Sequence, residues 1–303
     1  MPDDEVRVAA VGRAAAADLE RAVRAALGTD SCTRALAAAT LTVQPGGLSN
    51  HAWIAAAAGE RFFVRLSPPD AERFGVDRDA ECGLLHIVAN AGFAPDVIRC
   101  DPARRLLVTR LVPGHSWQRD EAIAPHNIAR LAQSLRGLHS LPMQPGMRTV
   151  DFAVQAAHLE AQCAGASPVD NELRGAAMEV LAALGRGAGP ETLCHNDLHH
   201  LNLIDAGDRL WLVDWEYGGA GDPVFDLASF LCQHDCGPRE QSTLLEAYGK
   251  GGRINDERVT AARWAFDYVQ WLWYRAWPDS GSADPVYTRR AAAIEQRLRR
   301  RTR

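Results

Sequence analysis

Residues with strand character crowd into one stretch of this chain, between Leu41 and Thr109, and that segregation limits the folds open to it. Leu41-Thr42-Val43, His51-Ala52-Trp53-Ile54, Arg61-Phe62-Phe63-Val64-Arg65-Leu66, Val97-Ile98-Arg99 and Arg105-Leu106-Leu107-Val108-Thr109 are short β-type runs divided by glycine and proline turns. A helical pattern over 77–91, ended by Gly92 as a C-cap, separates the third run from the fourth. Beyond Pro113-Gly114 helical patterns dominate, over 122–140, 151–164, 170–185, 238–250, 257–278 and 284–301. Strands joined by short turns and then a series of helices give an α+β chain, with a small antiparallel sheet followed by a mainly helical part. Pro113-Gly114 is the hinge. The expected domains are 1–111, which also takes one or two helices within residues 5–38, and 112–303.

One stretch interrupts the helical half: Cys194-His195-Asn196-Asp197-Leu198-His199-His200-Leu201-Asn202-Leu203-Ile204, then Leu210-Trp211-Leu212-Val213-Asp214-Trp215-Glu216-Tyr217. Asp197, Asn202 and Asp214 are the side chains that transfer of the terminal phosphoryl group of ATP requires. One carboxylate meets the acceptor hydroxyl and takes its proton, while an amide and a second carboxylate hold Mg2+. The turn Asp205-Ala206-Gly207-Asp208 folds two short strands together and brings Asn202 and Asp214 to one end of a hairpin. Glu216 follows two residues later on the same strand face, as a metal assistant, a substrate contact or a surface acid. Asp222-Pro223 reads as N-cap and first position of a further helix, and Asp226 as a buried brace for the loop. His195 orients the loop. A rival reading sets His195, Asp197 and His199 around zinc but leaves Asn202 and the Asp-Trp-Glu run without a role, and Cys232-x-x-x-Cys236 with His234 offers another partial zinc set that lacks a second ligand pair at finger spacing.

In the strand-rich half, the turn Gly46-Gly47-Leu48-Ser49-Asn50 lets backbone amides approach phosphates. Arg65, a cation in an apolar strand, is placed to hold the α- and β-phosphates and to pair with Glu81 on the following helix. Near the other end, Trp271, Trp273, Tyr274 and Trp277 fall within seven residues. Such density serves core packing or a box for a quaternary or protonated amine, which aromatic faces bind by cation–π attraction. Aminoglycosides call for many carboxylates, and Asp267 is the only acid between Phe266 and Trp277.

Composition excludes several classes. With 47% apolar and 23% charged residues the chain is globular, and a net charge of −5 gives no reason to expect nucleic acid. No apolar run approaches the roughly 20 residues that span a bilayer, and the acidic Met1-Pro2-Asp3-Asp4-Glu5 is unlike a secretory signal. Cytoplasmic residence, with seven cysteines as reduced thiols, is the default. The arginines at 289, 290, 297, 299, 300, 301 and 303 read as a solvated helix end, with anionic membrane binding as the alternative.

Cys194 to Asn202, Val213-Asp214-Trp215-Glu216-Tyr217 and Asp222-Pro223 to Ala228, together with Gly46 to Asn50, resemble the choline/ethanolamine kinase branch of the aminoglycoside-phosphotransferase-like kinases. The resemblance runs from about residue 40 to 275. It implies a two-lobed protein-kinase-like fold using ATP and Mg2+, with Asp197 as base, Asn202 and Asp214 as metal ligands, and Arg65 and Glu81 as the phosphate-orienting pair. It implies a small amino alcohol, choline or ethanolamine first, as acceptor. Aminoglycoside and thiamine kinases of the same fold are alternatives, as is a nucleotide-binding regulator without turnover, suggested by Arg65 where most kinases have lysine. Residues 1–38 and His199-His200 depart from the family pattern.

Overall fold

The strand-rich stretch forms a single five-stranded antiparallel sheet in the order β1-β2-β3-β5-β4, from Thr40–Gln44, His51–Ala57, Glu60–Leu66, Leu106–Arg110 and Val97–Asp101 respectively. The structure is a computed structural model that describes residues 13–44, 50–163, 169–249, 254–277 and 285–302. Strand alternation sorts the side chains by face. Trp53 opposes Val64, and Val64 opposes Val108. These residues, with Phe62 and Leu66, are covered by Val23 and Leu27 of α1 (Arg13–Leu27) and Leu36 of α2 (Arg34–Ala37). The N-terminal helices thus supply the second layer of this sheet, with the Arg24 guanidinium donating to the carbonyls of Ala37 and Ala39. Arg65, between Ala52 and Leu107 in register, belongs to the opposite face. There it meets α3 (Arg78–Asn90), whose first turn is capped by the Asp77 carboxylate accepting from the Ala80 N–H.

The chain forms two compact units that are not contiguous in sequence. One runs to Ala71 and adds Asp77–His115 and Ile204–Val213; the other takes Glu72–Val76, Ser116–Leu203 and Asp214–Arg303. Gly114 has φ +125°, and a Cβ there would press on the Asp205 carbonyl, so only glycine fits this turn. The hairpin of β8 (Leu203–Asp205) and β9 (Leu210–Leu212) is anchored in the first unit by the Leu212 N–H on the Phe93 carbonyl. Its two flanks, Asn202 and Asp214, belong to the second unit.

The second unit is helical: α4 (Arg119–Ala122), α5 (Pro125–His139), α6 (Phe152–Gln162), α7 (Asn171–Arg186), α8 (Val224–Gln233), α9 (Pro238–Tyr248), α10 (Asp256–Ala276) and α11 (Pro285–Thr302). Asp151, Asp170 and Asn255 cap α6, α7 and α10 through their side chains, the N-terminal signal their sequence positions carry. The long α10 packs on α6, α7, α8 and α11. Asp222-Pro223 announced the start of α8, but the periodicity did not trace the rest, because Val224 to Cys232 are all buried and only a narrow polar stripe marks a period. It also missed the pairing of β7 (Thr192–Cys194) with β10 (Gly219–Gly221). Glycine is a poor strand former, but a Cβ on Gly219 would lie 2.6 Å from the Arg148 carbonyl oxygen. β6 is the two-residue strand His115–Ser116.

Two expectations are overturned. Arg290, Arg297 and Arg299 are not a solvated helix end: α11 buries Tyr287, Ile294 and Leu298, and Arg297 clamps the fully buried Asp267 through two hydrogen bonds of 2.8 and 2.6 Å. Arg297 also reaches Asp235, and Arg299 reaches Asp170 and Glu295. The seven thiols are not all reduced either. The crossing of α3 by β4 sets the Cα atoms of Cys82 and Cys100 5.6 Å apart, within disulfide range, and the two are bonded. Their separation of 18 residues has no framework pattern for sequence reasoning to catch. Among the described residues, no helix is long and apolar enough to cross a membrane. Thiol titration of the denatured, unreduced protein should therefore find five thiols, and seven after reduction; seven without reductant would refute the Cys82–Cys100 bond.

Candidate phosphotransfer site

The loop after β7 is held by one helix. The α8 residues Asp226, Ser229 and Gln233 recur at i, i+3 and i+7, a polar stripe on an otherwise apolar rod. Asp226 accepts the backbone N–H of His195 at 3.0 Å and of Asn196 at 2.5 Å. The Ser229 hydroxyl accepts the Leu198 N–H at 2.8 Å. Gln233 Nε2 donates to Asp197 Oδ1 at 3.2 Å. Three side chains of one helix thus fix four consecutive loop residues. His139 Nε2 lies 2.9 Å from Asp226 Oδ2, and its Nδ1 lies 2.8 Å from the Tyr248 hydroxyl. Burial pushes the Asp226 carboxyl upward, but the hydrogen bond and charge of His139, with His195, outweigh it and hold the acid below the usual carboxylate range. Asn196, at φ 65°, is locked by its Nδ2 on the Tyr217 carbonyl at 3.1 Å. His195 is fully buried, its ring 4.5 Å from that of Trp215.

Asp197 and Asn202 are brought together. Asn202 Nδ2 donates to the Asp197 carbonyl at 2.9 Å and lies 3.4 Å from Asp197 Oδ2, leaving Asn202 Oδ1 as the acceptor of that amide. The Asp197 side chain keeps 21% of its surface exposed. Burial raises its pKa to about 6; the Glu216 charge adds to this, against the lowering pull of His195, Gln233 and Asn202. Asp214 has φ 63°, a left-handed conformation that costs a non-glycine residue on the order of 1 kcal/mol and is found where a side chain is held to a task. Glu216 is buried and acts electrostatically on Asp197, His199 and Tyr217.

The zinc sets do not assemble. His199 Nε2 lies 3.7 Å from Asp197 Oδ2, with burial and Arg290 lowering its pKa to about 4, while His195 Nδ1 accepts the Asp197 N–H at 3.3 Å. Cys232 Sγ faces the Arg263 carbonyl and His234 Nδ1 donates to the Phe230 carbonyl. Among the described residues, His139, Cys194 and Asp226 bring ligand atoms within 4.8 Å of one another. Both His139 nitrogens are engaged, however, and burial, then the Asp226 charge, push the Cys194 thiol well up, so the trio is a hydrogen-bonded brace.

In the first unit, Gly46, Gly47 and Ser49 lie outside the described residues. Asn50 Oδ1 accepts from Arg78 Nη2 at 3.1 Å. Buried Glu81 receives Arg65 at 2.6 Å and Arg78 at 2.7 Å on the same oxygen. Burial raises the Glu81 pKa, and the two guanidinium groups more than reverse it. Arg78 is the residue that sequence reasoning missed here; its i, i+3 spacing to Glu81 was the available signal.

The aromatic patch departs from an open cage. Trp277 is stacked on Phe74 (4.5 Å between centroids) and on Tyr287 (5.1 Å). Trp271 is buried under Arg275, whose guanidinium lies 4.6 Å from the ring, and Tyr274 carries Arg290. In each of the three a π surface already has a partner, which suits the core-packing reading of the patch. Trp273 is half-buried, and its Nε1 donates to the Tyr217 hydroxyl at 2.8 Å.

Residues 40–263 match the sequence profile of the phosphotransferase enzyme family. The chain belongs to that family. A 55-residue segment is 42% identical to Protein LicA of Haemophilus influenzae, covering 18% of this chain and 21% of that protein, so the chain matches about a fifth of that relative's length. Among solved structures, a choline/ethanolamine kinase family protein from Mesorhizobium loti is 24% identical, with a TM-score of 0.73 over 91% of this chain and 92% of that one. Choline kinase LicA from Streptococcus pneumoniae is 20% identical, with a TM-score of 0.76 over 87% and 94%. At these identities the likeness is one of fold, and the fold is protein-kinase-like.

Because the depressed acid Asp226 pins the loop as a carboxylate, its contribution is complete above the unfolded carboxyl pKa, about 3.9, and is lost as pH falls through its lower folded value. Asp226→Asn should lower the unfolding free energy by about 2–4 kcal/mol at pH 7. The variant should also lose less further stability than the parent when urea titrations are repeated below pH 4. Parallel pH profiles for the two proteins would count against this role.

Proposed function

We propose that this chain is an ATP- and Mg2+-dependent phosphotransferase acting on the hydroxyl of a small amine-bearing alcohol, with choline and ethanolamine as first candidates. The observation that carries the reading is Asp197: a carboxylate held from both sides by Gln233 and Asn202, on a loop fixed at four positions, with part of its surface open. Such a group needs no strong basicity. It orients the acceptor hydroxyl and takes the proton as the new oxygen–phosphorus bond forms, and orientation of this kind supplies much of the barrier reduction.

The donor chemistry suits magnesium. Asn202 Oδ1 and the Asp214 carboxylate are hard oxygens, the ligand type Mg2+ prefers, and they are the residues that would hold it. When bound, Mg-ATP supplies the phosphoryl group and the charge that neutralises it. Arg65 and Arg78 both reach one oxygen of Glu81, which fixes where the two guanidinium groups sit for the nucleotide phosphates. On the acceptor side, buried Glu216 supplies a negative charge for an ammonium group.

Acceptor-dependent ADP release from Mg-ATP, measured with choline, ethanolamine, thiamine and an aminoglycoside, tests the reaction; silence with every amine would reject it. Asp197→Asn should lower kcat by about a thousandfold. ATP affinity, measured by calorimetry, should stay within about threefold of the parent, since the residue meets the acceptor and not the nucleotide. A variant that retained turnover would remove Asp197 as the base.

A further inference from the structure

The Cys82–Cys100 bond has no part in the reaction described so far, yet it adjoins the arginines proposed for the nucleotide phosphates. Leu107 of β5 lies opposite Arg65 of β3 on one flank and opposite Cys100 of β4 on the other. Arg65 and Cys100 thus stand in one cross-strand row, on one face of the sheet and about 10 Å apart. Two consecutive residues of α3 dock on that row: Glu81 on Arg65 at 2.6 Å, and Cys82 on Cys100 through the disulfide. The register of the helix on the sheet is set here by an ion pair and a covalent bond side by side. The buried apolar residues of α3, Leu84, Leu85 and Val88, all follow this point.

The ion pair has room to rearrange. Arg65 and Arg78 both donate to Glu81 Oε2, while Glu81 Oε1 is buried without a hydrogen-bond partner among the described residues. The Ser67 hydroxyl, on a residue only 2% exposed, is likewise buried and unpartnered among them. Ser67, Glu81, Arg65, Arg105 and both cysteines line one small cleft. An unmet buried acceptor and an unmet buried hydroxyl are both costly. A shift of α3 that carried Glu81 toward Ser67 and Arg105 would satisfy them at the expense of its hold on Arg65. Cys82 and Cys100 are each half-buried, so the bond is within reach of a soluble thiol.

We propose that Cys82 and Cys100 are a reversible redox site that sets nucleotide affinity. Closed, the bond keeps Glu81 on Arg65; open, it lets the start of α3 shift and Glu81 turn into the cleft. The step is thiol–disulfide exchange with a dithiol. One thiolate of the dithiol attacks a sulfur of the bond and forms a mixed disulfide. Its second thiolate then closes the dithiol's own disulfide, and two electrons and two protons end on Cys82 and Cys100 as thiols. A small-molecule disulfide takes the same electrons back and leaves as two thiols. In a reducing compartment a bond of this kind is as a rule a transient sensor rather than a permanent staple. The role given to Arg65 rests on the phosphotransferase reading, to which this site adds a control separate from the catalytic loop.

The test is ATP affinity of the full-length protein, measured by calorimetry with no acceptor present. It should fall about tenfold after incubation with dithiothreitol and return when the reductant is replaced by oxidised glutathione, with an unchanged circular dichroism spectrum. The double variant Cys82→Ser, Cys100→Ser should show the weaker affinity in both conditions. Cys32→Ser, which removes an exposed thiol outside the bond, should respond as the parent does. Glu81→Gln should abolish most of the response, because the bond acts through that carboxylate; a bond that only braced the sheet would keep its effect in this variant. The reversible cycle on the parent decides the matter even where the double variant does not fold. Equal ATP affinity before and after reduction, with the bond shown open by thiol counting, would overturn the proposal. So would a bond that dithiothreitol leaves intact in the folded protein, or loss of the fold on reduction. Each of these leaves the phosphotransferase reading intact, whereas absence of ATP binding in both redox states would overturn the two together.

Discussion

Everything on the catalytic loop hangs from one carboxylate inside an apolar helix. Asp226 has no exposed surface, and a buried ionised acid is costly unless its lone pairs are filled. Here the backbone amides of His195 and Asn196 and the ring of His139 fill them. The requirement runs in both directions. The loop needs acceptors for amides that no strand or helix satisfies, and the acid needs donors that only a loop in this conformation presents. That reciprocity lets Asn196 stay at φ 65° and sends Asp197 out on the far side, where Ser229 and Gln233 extend the same helix face to Leu198 and Asp197. An interaction that fixes backbone atoms positions side chains more rigidly than one that touches the side chains alone.

The helix bundle behind α8 supports this arrangement through α10 and α11. Asp267 is as buried as Asp226 and is answered by the two-pronged Arg297. Several polar groups in this core come as matched sets: Arg297 with Asp267, His139 with Asp226 and Tyr248, Tyr217 with Trp273. A core built so has few alternative packings, because any slip of one helix strands a charge.

What the sequence made legible follows from period and spacing. The sheet could be read because its strands alternate and its turns carry glycine; α3, α5, α6, α7, α9 and α10 could be read because their polar faces and caps mark a 3.6-residue period. Asp197, Asn202 and Asp214 were legible as a spacing, and Asp226 as a buried acid near them. The rest failed for physical reasons. Most of α8 has no polar face beyond a three-residue stripe, and that stripe, Asp226-Ser229-Gln233, was itself the overlooked signal. β10 is a glycine strand chosen for close approach. The disulfide and the arginine clamps join residues distant in sequence, which only the packing reveals. The tryptophan cluster stayed ambiguous for a related reason: composition counts rings but not the partners already lying on their faces.

Asp197 and Asp226 show how one loop can carry two acids for opposite purposes. Both are withdrawn from bulk water, and burial alone would raise both. Asp226 receives backbone amides and an imidazole, all of which favour its charge, and it is driven down. Asp197 receives two neutral amide donors, faces the negative Glu216, and is left near 6. An acid that is strongly stabilised as a carboxylate is a good anchor and a poor proton acceptor; an acid whose charge is under-compensated has reason to take a proton or to attract a cation. The sequence places these acids 29 residues apart and separates them by motif position, not by the chemistry that surrounds each. The number and sign of the groups aimed at each one make Asp226 a structural anchor and leave the charge of Asp197 under-compensated, which is what the proposed contact with an acceptor hydroxyl needs.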